Sequence, residues 1–244
     1  ELWPNLVDDE SRTPRIEVTG TALRVESVEG ERVRAIAEEL GEGEIVLFLD
    51  DVEERRYEYA VSEIARITVH ERQWNAAERG FELSDGVFDG RFSLAAGSNY
   101  EMGVAFEDAS GEPLQGTGLL RADSGMVRYN ASLTFMPETS VAGTMSAVLS
   151  AGEATLTIDY EVVDALSALT IERIDADETF KLWAHAIDAE GRPVYGNATW
   201  TIDGDVYDAY FGFLSFSREG PGGLHLVTAT LLGTEGSRMV DFGR

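Results

Sequence analysis

The run Asp203-Gly204-Asp205-Val206-Tyr207-Asp208 sets three carboxylates close together in sequence. Calcium takes about six to eight oxygens from a flexible loop, so Asp203, Asp205 and Asp208 are the candidate metal ligands. Asp203 and Asp205 have a suitable i, i+2 spacing. The run lacks the sixth-position glycine and distal glutamate of an EF-hand, and turn formation and solvation are the favoured alternative roles. Asp175-Ala176-Asp177-Glu178 is a second cluster of the same kind. Histidine chemistry is sparse: His70, His185 and His225 are the only histidines, and no two are close in sequence. His185 is expected to be exposed. There is no H-E-x-x-H and no cysteine, so no transition-metal pattern is present. Phosphate-binding loops and the nucleophile elbow G-x-S-x-G are also missing. A carboxylate pair for glycoside hydrolysis would meet in space rather than in sequence, but small β domains offer little cleft for a sugar chain. The expectation is a protein without catalysis or resident cofactor, calcium at the Asp203 run being the exception to test.

Aromatic residues are the more informative candidates. Phe180, Leu182, Ala184 and Ala186 alternate as the inward face of a strand, which turns Trp183 and His185 to the opposite face. Trp200 reads as a core residue. Tyr207, Tyr210, Phe211, Phe213 and Phe216 follow. On a strand Phe211 and Phe213 share one side, while Tyr210, Leu214 and Phe216 share the other. A strand apolar on both sides is covered on both. Trp183, Tyr207, Tyr210, Phe211, Phe213 and Phe216 are therefore candidate contacts for a protein partner, another copy of the chain, or a carbohydrate. A loop folded back into one local core would use the same rings.

Charge narrows the partners. The chain has 244 residues, with 45 acidic against 19 basic, a net charge of −26. Such a field repels nucleic acid and anionic membrane surfaces. The longest apolar run, Ile45–Leu49, is too short for a membrane span. Without cysteine, each domain must be held by its apolar core.

An internal repeat organises the chain. Residues 108–116 read Asp-Ala-Ser-Gly-Glu-Pro-Leu-Gln-Gly, and residues 188–196 read Asp-Ala-Glu-Gly-Arg-Pro-Val-Tyr-Gly, an ungapped offset of 188 − 108 = 80. Tyr100, Met102, Val104 and Phe106 align at that offset with Phe180, Leu182, Ala184 and Ala186. The shared D-A-x-G-x-P segment is a turn: aspartate bonds backbone two residues on, glycine admits positive φ, and proline opens the next segment. Ile64–Val69 matches Leu166–Ile171 as the first strand of a new domain. Boundaries fall near residues 63 and 165, with no flexible linker at either. The domains expected are 1–63, a partial or degenerate copy, then 64–165 and 166–244. In the first, Gly43–Leu49 and Arg56–Val61 form a hairpin around Asp50-Asp51. Residues 33–41 fit a helix or a strand, and the flanking strands favour a strand. Residues 73–90 do not fit the repeat.

Apolar strand, D-A-x-G-x-P-Φ-x-G turn, next strand and a closing Gly-x-Ala-x-Leu-Thr strand together resemble the bacterial immunoglobulin-like domains of invasin, intimin and related surface proteins. Residues 96–160 and 178–232 carry the pattern best. The fold expected is all-β, with tandem immunoglobulin-like β-sandwiches. The resemblance implies a non-enzymatic, extracellular or cell-surface bacterial module of structural or adhesive type, with a lipoprotein or a subunit of an extracellular assembly as variants. It carries over no ligand residues, because the shared positions are turn and core positions.

Overall fold

The computed structural model describes residues 14–29, 32–75, 80–88, 92–114, 116, 120–130, 132–175, 179–207, 209, 213–217 and 222–243. The fold is all-β. It divides into two compact units, residues 1–64 with 108–110, and residues 65–107 with 111–244.

The first unit contains Pro14–Thr19 (β1), Leu23–Glu29 (β2), Arg32–Ala37 (β3), Gly41–Leu49 (β4) and Val52–Val61 (β5). The order β1-β4-β5 makes an antiparallel sheet, and β2 and β3 make a separate hairpin. The ambiguous segment is thus strand β3, because its backbone pairs with β2. Gly41 opens β4. The β4–β5 hairpin turns through Asp50 and Asp51, both at positive φ (52° and 63°). Two such residues give a turn whose twist matches the flanking strands. Ile45, Val46 and Leu47 are buried.

The second unit begins with Arg66–Asn75 (β6), Gly80–Val87 (β7), Phe92–Ala95 (β8), Met102–Glu107 (β9), Pro113–Leu114 (β10), Arg121–Ala122 (β11), Met126–Asn130 (β12), Ser132–Met136 (β13), Gly143–Ala151 (β14) and Ala154–Val163 (β15). It continues with Ala168–Asp175 (β16), Thr179–Ile187 (β17), Pro193–Tyr195 (β18), Thr199–Ile202 (β19), Asp205–Tyr207 (β20), Phe213–Ser217 (β21), Leu224–Leu231 (β22) and Thr234–Asp241 (β23). One sheet runs β12-β13-β9-β6-β7, with β10 on β9. A second runs β11-β14-β15-β8-β18-β17-β16, with β21 on β17, and a third runs β20-β19-β22-β23.

Two sandwiches result. In the first, β6 meets β14 and β15 across the core, where Met102, Phe106, Phe135, Leu149, Tyr160 and Val162 are buried. In the second, Phe180, Leu182 and Leu214 of one sheet pack with Trp200, Val227 and Ala229 of the other. Tyr100, Met102, Val104, Phe106, Phe180, Leu182, Ala186 and Trp200 are all buried, as the alternation requires, and Ala184 is partly so. The free edges of β16 and β23 face each other. There Arg238 Nη1 donates to Ile171 O at 3.1 Å, and Arg173 Nη1 donates to Asp241 O. Edge carbonyls are thereby capped rather than left open to another strand.

The offset of 80 is visible in the backbone. Glu107 pairs with Pro113 and Phe106 with Leu114; Ile187 pairs with Pro193 and Ala186 with Val194. Asp108 Oδ1 accepts from Ser110 N–H at 2.8 Å, and Asp188 Oδ1 accepts from Glu190 N–H at 3.0 Å. Gly111 and Gly191 have φ of 86° and 78°. A Cβ at Gly191 would meet nothing within 4 Å, so its substitution tests backbone strain alone. Gly191→Val is expected to cost about 1–3 kcal/mol, read as a lower denaturation midpoint at unchanged slope. A loss below about 0.5 kcal/mol would remove the positive-φ requirement from the motif.

Candidate functional site at the joint of two sandwiches

The matched first strands differ by 168 − 66 = 102, while the turns differ by 80, so the first sandwich carries 102 − 80 = 22 extra residues between them. The segment that breaks the repeat holds β7 and leads into β8. Strand β8 runs parallel to β15 on one side, with Glu161 opposite Ser93 and Val162 opposite Leu94. On its other side it runs parallel to β18, with Val194 opposite Ser93 and Tyr195 opposite Leu94. Phe92, Ser93, Leu94 and Ala95 are all buried. Parallel strands covered on both faces lose the polar–apolar alternation that marks an exposed sheet, and this is why Phe-Ser-Leu-Ala gives no strand signal by periodicity.

Its one polar residue meets the repeat motif. Ser93 Oγ donates to Asp188 Oδ2 at 3.1 Å, and Asp188 is only 2% exposed. Arg192 Nε donates to the same oxygen at 2.7 Å, and Arg192 N–H donates to Oδ1 at 2.8 Å. Burial pushes this carboxyl up, but the hydrogen bonds from Arg192 and Ser93 outweigh it and hold the group below the usual aspartate range. The last motif glycine serves the same joint. A Cβ at Gly196 would come within 2.8 Å of the Ala95 Cβ, whereas one at Gly116 would meet nothing within 4 Å. Asn197 N–H donates to Ser98 Oγ at 3.2 Å.

Beside β8 lies an aromatic cluster. Phe88 and Phe92 are 4.8 Å apart between ring centroids, Phe88 and Tyr195 5.3 Å, and Tyr100 and Tyr195 5.3 Å. Phe92 also stacks on Tyr160 at 5.9 Å. Burial pushes the Glu71 carboxyl above the usual range, against the opposing pull of nearby His185 and the Tyr100 hydroxyl. Sequence reasoning passed over Phe88, Phe92, Ser93 and Glu71. The available signal was the 22-residue excess, which says that something is inserted but not what it touches.

The sequence-predicted contact residues are distributed as follows. Phe213, 5% exposed, pairs in register with Trp183, and their rings stack at 5.4 Å and 8°. The Lys181 ammonium sits 5.1 Å over the Phe213 ring, and burial pulls its pKa below the usual lysine range. Phe216 lies on the opposite side, stacked on Phe180 at 5.3 Å and tilted against Phe242 at 4.8 Å. Tyr207 edges onto Phe216 at 6.5 Å and remains 40% exposed. Among described residues, both sides of β21 are therefore packed within their own sandwich. Tyr210 and Phe211 lie outside the described residues.

Asp203 and Gly204 form the β19–β20 turn. Asp203 accepts from Leu226 N–H at 2.9 Å and contacts His225 Nδ1 at 2.6 Å, and the His225 bond holds its pKa below the usual range. Asp205 begins β20 and is exposed. Asp208, and residues 176–178 of the second acidic cluster, lie outside the described residues. Among described residues no three of His, Cys, Asp or Glu come together as a metal-binding group. His185 Nε2 contacts Glu172 at 2.6 Å, and His70 Nε2 contacts Thr68 Oγ1 at 2.8 Å. Two of the three histidines thus have carboxylate partners that sequence distance concealed.

No family model and no curated protein matches the chain. Among solved structures, domains 4–9 of the surface layer protein SbsC align over 93% of this chain and 38% of that one, at 15% identity and a TM-score of 0.37. The chain thus spans about two-fifths of that structure's length. The Yersinia pseudotuberculosis adhesin InvE aligns over 62% of this chain and 56% of its own, at 18% identity and TM-score 0.23. SGBP-B of the Bacteroides ovatus mixed-linkage glucan utilization locus aligns over 96% and 61%, at 12% identity and TM-score 0.27.

Proposed function

We propose that this chain is a non-enzymatic structural or adhesive module of an extracellular bacterial surface protein, built to hold its parts at fixed spacing. Strand β8 carries this reading. It is paired on both edges and buried, and a hinge between the sandwiches would break a parallel ladder and expose the Ser93–Asp188 contact. In this reading residues 64–165 and 166–244 are two domains fused through β8, residues 1–63 are a third, and the partners are proteins or further copies of the chain. The invasin-like pattern of strands and turns supports the surface setting. Among described residues no helix is long and apolar enough to cross a membrane.

The fused joint is testable because the chain has no cysteine of its own. Cysteines placed at exposed Thr155 and Glu235, one on each sandwich, accept spin labels. The wild-type background is expected to give one narrow distance distribution and a single calorimetric transition for both sandwiches. Leu94→Pro removes a ladder donor inside a strand paired on both sides. It should broaden the distribution and split the transition. A broad distribution in the wild-type background would overturn the rigid-module reading, whatever the proline variant does.

A further inference from the structure

We infer that Asn197 is an acceptor for N-linked glycan, modified on the carboxamide Nδ2 by transfer of an oligosaccharide from a lipid-phosphate carrier. Asn197-Ala198-Thr199 is an N-x-[ST] sequence, the pattern read by oligosaccharyl transferases on exported chains. The inference rests on the surface reading, because such transfer acts on chains that leave the cytoplasm.

The three-residue pattern is common, and the structure adds what it leaves open. Residues 196–198 lie between β18 and β19 and belong to neither strand. Surface connections of this kind are where functional positions concentrate and where an enzyme can reach the backbone. Ala198 is 6% exposed and Trp200 0%, and both belong to the core of the second sandwich. Side chains alternate along an extended chain, so Asn197 and Thr199 turn the other way, and both are exposed. Carboxamide and hydroxyl thus stand together on the solvent side, the pair that the pattern requires. Asn130-Ala131-Ser132 is a second match, but Ala131 lies outside the described residues and the inference does not use it.

The fold does not need this carboxamide. The backbone N–H of Asn197 makes the closer bond, to Ser98 Oγ at 3.2 Å. The side-chain Nδ2 reaches Asn99 O only at 3.5 Å, longer than an ordinary N–H···O bond. A carboxamide nitrogen carries two N–H groups, and glycosylation leaves one of them. Eighty residues earlier the first sandwich follows the same turn with Thr117-Gly118-Leu119, so the turn motif itself calls for no asparagine here.

The transfer balances without oxidant or reductant. Nδ2 forms a bond to the anomeric carbon of the carried sugar. The bond from that carbon to the phosphate oxygen breaks, and the lipid phosphate leaves with the electron pair. One carboxamide proton goes to a base of the transferase. The glycan is rooted at the joint, because Asn197 borders Ser98 and Asn99 on the segment that leaves β8.

Peptide mass spectrometry of the full chain, recovered from the cells that make it, tests this. The peptide holding Asn197 is expected to carry a sugar mass, with fragmentation placing it on Asn197. Asn197→Gln and Thr199→Ala should each abolish the modification at this position, whereas Thr199→Ser should retain it. Wild type and Asn197→Gln made in a host without the transferase should share one circular dichroism spectrum and one thermal midpoint, which separates loss of glycan from loss of fold. Surface labelling of the same cells locates the chain. A chain outside the cell with Asn197 unmodified would overturn the inference and leave the surface reading intact. A sugar on Asn197 that survives Thr199→Ala would also overturn it, since the pattern would not be what is read. A chain confined to the cytoplasm would overturn the surface reading, and the inference with it.

Discussion

Trp200→Ala is expected to lower the unfolding free energy by about 3–5 kcal/mol, the range for deleting a large buried aromatic side chain. Trp200 is 0% exposed and belongs to a core that includes Phe180, Leu182, Val227, Ala229 and Val240. Those neighbours come from paired sheets on both sides of the sandwich, so the wall around the vacated space can collapse only partly. Among described residues the indole Nε1 is buried without a hydrogen-bond acceptor, which costs free energy in the wild type. Trp200→Phe removes that orphan donor while keeping much of the volume. It should cost less than about 2 kcal/mol. Denaturant unfolding followed by circular dichroism gives both values. Equal losses for alanine and phenylalanine would show that ring volume does not set the cost.

Asp188→Ala is expected to cost about 2–4 kcal/mol. Breaking a buried pair costs about 3–5 kcal/mol when the remaining charge stays buried. The Arg192 side chain is 33% exposed, so water recovers part of that. What stays unsatisfied is the Ser93 hydroxyl and the turn N–H groups of Glu190 and Arg192. Asp188→Asn keeps the shape and loses the charge, and it isolates the pH dependence. The folded pKa lies below the usual 3.8. The charge therefore contributes fully above the unfolded value of about 3.9, and that contribution is lost as pH falls through the folded value. The stability gap between wild type and Asp188→Asn should be constant near pH 6 and should shrink below about pH 4. A gap that stays constant down to pH 2 would mean that the carboxylate charge contributes nothing at the joint.

Trp200 was readable as core because it follows a turn whose chemistry is local and sits on a strand with a clear period of two. The turns at Asp108 and Asp188 were readable for the same reason, since aspartate, glycine and proline each act within a few residues. The face of β21 was half readable. Alternation correctly separates Phe213 from Leu214 and Phe216, but it does not say that Trp183 covers the first and Phe180 and Phe242 the second.

The sequence by itself determined what depends on neighbours along the chain: strands from period-two patterns, turns from Asp, Gly and Pro, and an all-β fold from their succession. It also determined the repeat, because an ungapped offset needs no coordinates. Only the tertiary structure decided what depends on distant segments meeting. Asp108 and Asp188 occupy the same motif position and make the same local turn, yet only Asp188 is buried, because Ser93, 95 residues away, donates to it. Gly116 and Gly196 likewise share a motif position, and only Gly196 is pressed against Ala95. Strand β8 joins two parallel ladders and is buried on both faces, and no pattern within its four residues could announce that. A local conformational preference is encoded where it acts, whereas the burial of a side chain is set by whichever segment the fold brings against it.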